Sequence, residues 1–151
     1  MQLFPISLSI GVLAGIWAYV SITYGILPWP CFIGWAIYFF LGANKDALVK
    51  AIPPVLVGLF LTWLTLFINT AIKGNTLVLS ILVVVLAFLL TFMMNISWLA
   101  AAPAAFATAA IYFAVGDPVK VIIPLIAGLL LGYISTWIPG LFTKPAESNP
   151  E

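Results

Sequence analysis

The chain has 151 residues, of which 65% are hydrophobic and 6% charged, with a net charge of +1. A soluble domain carries about 25% charged residues, so this composition excludes an ordinary globular domain and points to the bilayer. Five scattered Lys residues, no Arg and no His exclude the basic stripe that nucleic-acid binding requires.

The nine charges divide the chain. Residues 1–44, 51–72, 74–116 and 121–143 carry none, which leaves blocks of 44, 22, 43 and 23 residues. A span needs roughly 20 apolar residues, so the blocks hold two, one, two and one spans. The predicted class is all-α: a polytopic membrane protein of six transmembrane helices. Continuous apolar runs without in-out alternation argue against barrel strands.

The first span is predicted from about Leu3 to Ile26. No Lys or Arg precedes it and it outlasts a signal sequence's apolar run, so it is expected to stay as a span. Gly11 and Gly15 share one face and let another helix approach. Leu27-Pro28-Trp29-Pro30 then breaks the helix. The second span runs from Pro30, suited to a first turn, to a stop at Gly42. A loop with Lys45, Asp46 and Lys50 follows. The third span covers about Ala51 to Ile72, with Pro53 and Pro54 in its first turn, and Lys73-Gly74-Asn75 is a turn.

The fourth span is predicted from Thr76 to Met94, where Asn95-Ile96-Ser97 interrupts it. The fifth lies within Trp98 to Val115 and contains Pro103. Gly116-Asp117-Pro118 is a turn. The sixth covers about Val121 to Ile138, with Gly128 and Gly132 one helical turn apart, and Pro139-Gly140 ends it. Residues 1–144 thus form one membrane domain, and 145–151 are a polar tail.

The chain repeats itself. Ala36-Ile37-Tyr38-Phe39 recurs as Ala110-Ile111-Tyr112-Phe113. Gly42, Lys50, Pro54 and Gly58 follow the first copy; Gly116, Lys120, Pro124 and Gly128 follow the second, whose loop is four residues shorter. Repeat one is about 3–72 and repeat two about 76–140. An odd number of spans per unit inverts the second copy in the bilayer, an arrangement typical of transporters. An even span total puts both termini on one side, with Lys45, Lys50 and Lys144, against Lys73 and Lys120 on the other. The positive-inside rule then favours cytoplasmic termini, by three lysines to two.

No enzyme site is visible. Asp46, Asp117, Glu147 and Glu151 all fall outside the hydrocarbon, and a nucleophile with a base, a metal or paired carboxylates is lacking. Cys31, the single cysteine, offers no disulfide or thiolate metal site and reads as a small buried apolar residue. No cofactor is expected. A proton-coupled carrier usually keeps an acid or His inside the membrane, and none is available. Sodium bound by carbonyls at a broken helix stays open.

Uncharged groups remain to line a path: Tyr19, Ser21, Thr23, Tyr24, Trp29, Trp35, Tyr38, Thr62, Asn95, Ser97, Thr108, Tyr112, Tyr133 and Ser135. Ser and Thr more often bond their own helix, and Trp17, Trp63, Trp98 and Trp137 suit interfacial anchors. Asn95 fits a buried site or a helix end. Lys50 and Lys120 are candidate mouth residues, with simple snorkelling the alternative. Pro30, Gly42, Pro103 and Gly116 mark the helix breaks.

The segment from Pro30 to Gly42 has only about 12 residues, or about 18 Å of helix, against a hydrocarbon core of about 30 Å. One expectation is therefore a pair of short helices, near Pro30 and Pro103, whose N-terminal dipoles point to a central cavity. The alternative is two full spans that tolerate their prolines in the first turn.

Gly11-Val12-Leu13-Ala14-Gly15-Ile16-Trp17, Tyr24-Gly25-Ile26-Leu27-Pro28-Trp29 and the first A-I-Y-F copy resemble the YcdZ-like bacterial inner-membrane family (domain of unknown function 1097). So do Ala102-Pro103-Ala104-Ala105-Phe106, Gly116-Asp117-Pro118-Val119-Lys120, Pro124 and Gly132-Tyr133. The resemblance covers about residues 8–135 and implies a multi-pass protein of the bacterial inner membrane. It implies no substrate.

The function expected from the residues is a channel or facilitator for a small neutral or weakly charged solute, working as a homo-oligomer in the lipid bilayer. A non-transport scaffold or assembly subunit and a cation-coupled secondary transporter are the alternatives.

Overall fold

The computed structural model describes residues 3–142, with side chains described for 4–139. Lys144 and the tail 145–151, used above for orientation and domain limits, lie outside the described residues. Among the described residues six α-helices follow one another: α1 (Leu3–Thr23), α2 (Trp29–Phe40), α3 (Lys45–Ala71), α4 (Thr76–Phe92), α5 (Ala102–Val115) and α6 (Pro118–Phe142). The described residues hold no strand.

Four helices, α1, α3, α4 and α6, are long and apolar enough to cross a membrane, α4 together with the turn that follows it. The other two have 12 and 14 residues, about 18 and 21 Å at the usual helical rise. Neither extends into a full-length regular span, so the short-helix expectation matches the lengths seen.

The local chemistry explains both breaks. Gly25, at φ +65°, stops α1: its left-handed backbone lets Ile26 N–H reach back to the Ser21 carbonyl at 2.8 Å, the glycine-terminated end common in helices. The predicted first span thus ends three residues early, at Thr23. Trp17 Nε1 donates to the Pro28 carbonyl at 3.0 Å and ties the extended break to α1, a role the anchor reading did not give it. The second break is longer. Two 3-10 turns, Met93–Asn95 and Ser97–Leu99, separate α4 from α5, and the fifth helix, starting at Ala102, lies within the segment Trp98 to Val115 expected for it.

Two long helices begin earlier than the charge pattern implies. The Asn44 side chain accepts a hydrogen bond from Ala47 N–H at 2.9 Å, and Asp46 sits in the first turn, where the helix dipole favours it. α3 therefore starts at Lys45, and Pro53 and Pro54 lie inside it rather than in its first turn. Likewise Asp117 accepts from Val119 and Lys120 N–H at 2.9 and 3.3 Å. α6 starts at Pro118, places Pro124 in its interior and continues past Pro139 to Phe142.

The packing pairs each half with the other. α2 lies along α6 and α5 along α3; α1 packs on α6 and α4 on α3. α3 and α6 form the centre, and α1 and α4 the periphery. Phe4, Leu8, Val12, Ile16 and Tyr19 make an exposed apolar stripe along α1, and Leu77, Ile81, Val84, Phe88 and Phe92 one along α4. Water would not tolerate such stripes, whereas lipid requires them. The chain is an all-helical membrane protein.

Candidate functional site

The sequence candidates divide into a buried group and a peripheral one. Trp35, Tyr38, Thr108 and Tyr112 are all buried. Tyr38 and Tyr112 share one core cluster with Ile37 and Ile111, Ala51 and Val121, and Val55 and Leu125. Each of these pairs joins corresponding residues of the two repeats. The repeat thus supplies both sides of a single core.

Residues that stack along α2 and α6 set their relative direction. Gly25 to Leu27 border Val119 to Pro124, Gly34 abuts the Leu125 and Leu129 backbone, and Tyr38 lies on Gly132. α2 and α6 therefore run in the same direction. Because α3 folds back from α2 through the turn at 41–44, α3 and α6 are antiparallel, and Lys50 and Lys120 stand at opposite ends of that pair. Both lysines are exposed, and Lys120 Nζ lies 3.7 Å from Asp117 Oδ2.

The short helices touch the central ones through backbone. A Cβ on Gly128 would collide with the Cys31 carbonyl, its carbon 2.7 Å away, and with Trp35 N at 2.9 Å. A Cβ on Gly58 would stand 2.6 Å from the Ala105 carbonyl oxygen. Only glycine permits such approach, and membrane helices associate through small residues for that reason. Gly58 and Gly128 are repeat-equivalent, and so are Ala105 and Cys31. The same contact is made twice.

Polar side chains near these crossings are satisfied. Trp35 Nε1 donates to Ser135 Oγ at 3.3 Å, and Ser135 Oγ donates in turn to the Gly132 carbonyl at 2.6 Å. The Tyr38 hydroxyl is 2.7 Å from Thr136 Oγ1. Thr62, Thr65 and Thr108 bond carbonyls of their own helices at 2.7, 2.8 and 2.8 Å, as isolated hydroxyls in spans do. Among the described residues the buried polar side chains are Ser21, Thr62, Thr65, Thr108 and Ser135, all hydroxyls. Each donates to a carbonyl of its own helix, and none carries a charge.

The other candidates lie away from this core. Trp29 is exposed at the start of α2 and Asn95 is exposed beyond α4, where its Nδ2 donates to the Phe92 carbonyl at 2.8 Å. Asn95 is thus a helix-end residue in this structure. Pro30 is fully buried in the first turn of α2, while Pro103, in the first turn of α5, is exposed. Gly42 and Gly116 end α2 and α5 with positive φ, +108° and +72°. Thr65, Thr136 and Gly34 were not singled out from the sequence. Thr136 is recognisable only once Tyr38 is beside it, and the two are 98 positions apart.

The sequence model of a family described as a protein of unknown function, DUF1097, matches residues 7–140. The chain is also similar to the inner membrane protein YcdZ of Escherichia coli (strain K12), with 27% identity over 157 aligned positions that cover 99% of this chain and 95% of that one. No solved structure matches it.

Proposed function

We propose, for a chain that belongs to the DUF1097 family of proteins of unknown function, the role of a facilitator that lets a small neutral or weakly charged solute cross the inner membrane. Its two halves are three-helix units inverted relative to each other, repeat one about 3–72 and repeat two about 76–140. They make six crossings, four by the long helices and two by a short helix with its extended entry. Both termini face the cytoplasm, and the working form is a homo-oligomer.

One observation carries this reading: the short helix of each half rests on the third helix of the other half at repeat-equivalent residues, Cys31 on Gly128 and Ala105 on Gly58. Inverted units that exchange contacts in this way bring two like surfaces together near the bilayer midplane, where transport proteins place their solute. The charges support a neutral cargo, since Lys50 and Lys120 are exposed at the ends and the buried polar groups are hydroxyls. Direct backbone contact at both crossings corresponds to a closed conformer, so passage requires a crossing to part. Urea-like amides and small polyols fit this absence of fixed charge among the buried groups best, ahead of short carboxylates, which carry a charge. The open faces of Gly11 and Gly15, with no atom within 4 Å of either added Cβ, favour assembly through α1.

A second reading has its own support. The packed core lies beside an apolar groove of about 420 Å³, lined by Pro5, Leu8, Ser9, Val12, Leu13 and Ile138, which would suit a scaffold subunit of another membrane complex. Proteoliposome swelling with a panel of neutral solutes separates the two. The facilitator reading predicts shrink-and-reswell traces for at least one of these classes, at rates that rise with protein density. Traces identical to protein-free vesicles for every solute would leave the scaffold.

A further inference from the structure

The repeat makes each crossing twice, yet the two are not equally fastened. Residues of α2 correspond to those of α5 at a spacing of 74, and residues of α3 to those of α6 at a spacing of 70. Cys31 on Gly128 and Ala105 on Gly58 obey both spacings. The neighbouring positions diverge. Trp35 and Ser135 are joined by a hydrogen bond across the helices, but their equivalents are Ala109, which has no donor, and Thr65, which bonds the Leu61 carbonyl of its own helix. The Tyr38 hydroxyl meets Thr136 at 2.7 Å; the equivalents are Tyr112 and Leu66, and leucine offers no oxygen. Gly34 lets α2 close directly on the Leu125 backbone. Its equivalent, Thr108, carries a fully buried side chain that bonds the Ala104 carbonyl of its own helix.

We propose that the α2–α6 crossing is a fixed latch and the α5–α3 crossing the one that parts, so that the molecule opens on the α5 side alone. Two ideal inverted copies would open either way with equal ease; the two cross-helix hydrogen bonds remove that equality. The inference rests on the repeat pairing and transport reading above for its purpose, but the inequality is measurable with no solute present.

The chain supplies its own reporter. Cys31 sits on the latch, fully buried with its carbonyl against Gly128 of α6, and Ala105 is its equivalent on the other crossing. Reaction with N-ethylmaleimide in proteoliposomes is compared between the wild-type chain and the Ala105→Cys variant in a Cys31→Ala background. The introduced thiol is expected to react roughly tenfold faster than Cys31, the ratio that two interhelical hydrogen bonds of ordinary strength supply. Equal rates, or a faster Cys31, would overturn the proposal. Should the Ala105→Cys chain not fold, Tyr38→Phe decides, because it removes a single hydroxyl from the latch. Labelling of Cys31 is expected to rise about threefold in that variant, and an unchanged rate counts against the latch. In the converse arm, Leu66→Thr gives Tyr112 the partner it lacks and is expected to slow the introduced thiol. A labelling difference without solute flux would sink the transport reading and keep the latch; flux without a labelling difference would do the reverse.

Discussion

Gly128→Val is expected to abolish the folded protein. The added Cβ meets the Cys31 carbonyl and the Trp35 backbone nitrogen. These are main-chain atoms of a helix, so no rotamer change relieves the clash, and α2 as a whole must lift from α6. Overpacking a core against side chains costs about 1–3 kcal/mol; against backbone on both sides the cost exceeds that range, a large fraction of a typical stability of about 5–15 kcal/mol. The expected readout is loss of the monodisperse detergent-solubilised species. Gly58→Val should fail the same way, since its Cβ would stand 2.8 Å from Ala105 Cα. Gly11→Val is the control, with nothing within 4 Å of its added Cβ, and it should leave the fold intact. A well-behaved Gly128→Val chain that melts with the wild type would refute the packing described.

Trp35→Ala is the second large effect. Trp35 is 4% exposed, stacks beside Phe32 with ring centres 6.5 Å apart and hydrogen-bonds Ser135. Truncating a buried tryptophan in a soluble core costs about 3–5 kcal/mol. In a bilayer the unfolded helices remain in lipid, so the water-transfer share is absent and the cavity share remains, about 2–3 kcal/mol. Unfolding by sodium dodecyl sulfate should show that loss. Trp35→Phe keeps most of the volume and should lose only about 0.6 kcal/mol, the average for an interhelical hydrogen bond in a membrane. Trp98, 59% exposed, leaves no cavity on truncation, and Trp98→Ala should sit within about 0.5 kcal/mol of wild type.

The repeat is read from residues with few substitutes. Pro54 and Pro124, Gly58 and Gly128, and Lys50 and Lys120 stand out against an apolar background in which leucines and valines carry no register. The short second helix was legible for a similar reason: prolines at 28 and 30 and Gly42 bracket it, and it was found at Trp29–Phe40. The starts of α3 and α6 were not. Lys45, Asp46 and Lys120 bound the uncharged blocks, whereas Asn44 and Asp117 set the helix starts by capping their amides. The break before α5 is marked in the sequence by Asn95-Ile96-Ser97, but its form, two 3-10 turns over largely apolar residues, is not.

The site was legible only in part. Trp35, Tyr38, Thr108 and Tyr112 are all buried on the two short helices, whereas of the two places open to Asn95 the structure takes the helix end. What joins Tyr38 to Thr136 and Trp35 to Ser135 is a contact across about a hundred residues, and no local pattern encodes it.

The central claim is that two copies of one unit sit inverted in the bilayer, and sided labelling of repeat-equivalent lysines tests it most directly. In a Cys31→Ala background, Lys50→Cys and Lys120→Cys are each exposed to a membrane-impermeant maleimide, in intact spheroplasts and in inside-out vesicles. Both positions are exposed in the fold, so either thiol can react from the side it faces. The account predicts that Lys120→Cys is labelled in spheroplasts and Lys50→Cys in inside-out vesicles. Labelling of both from the same side would contradict it.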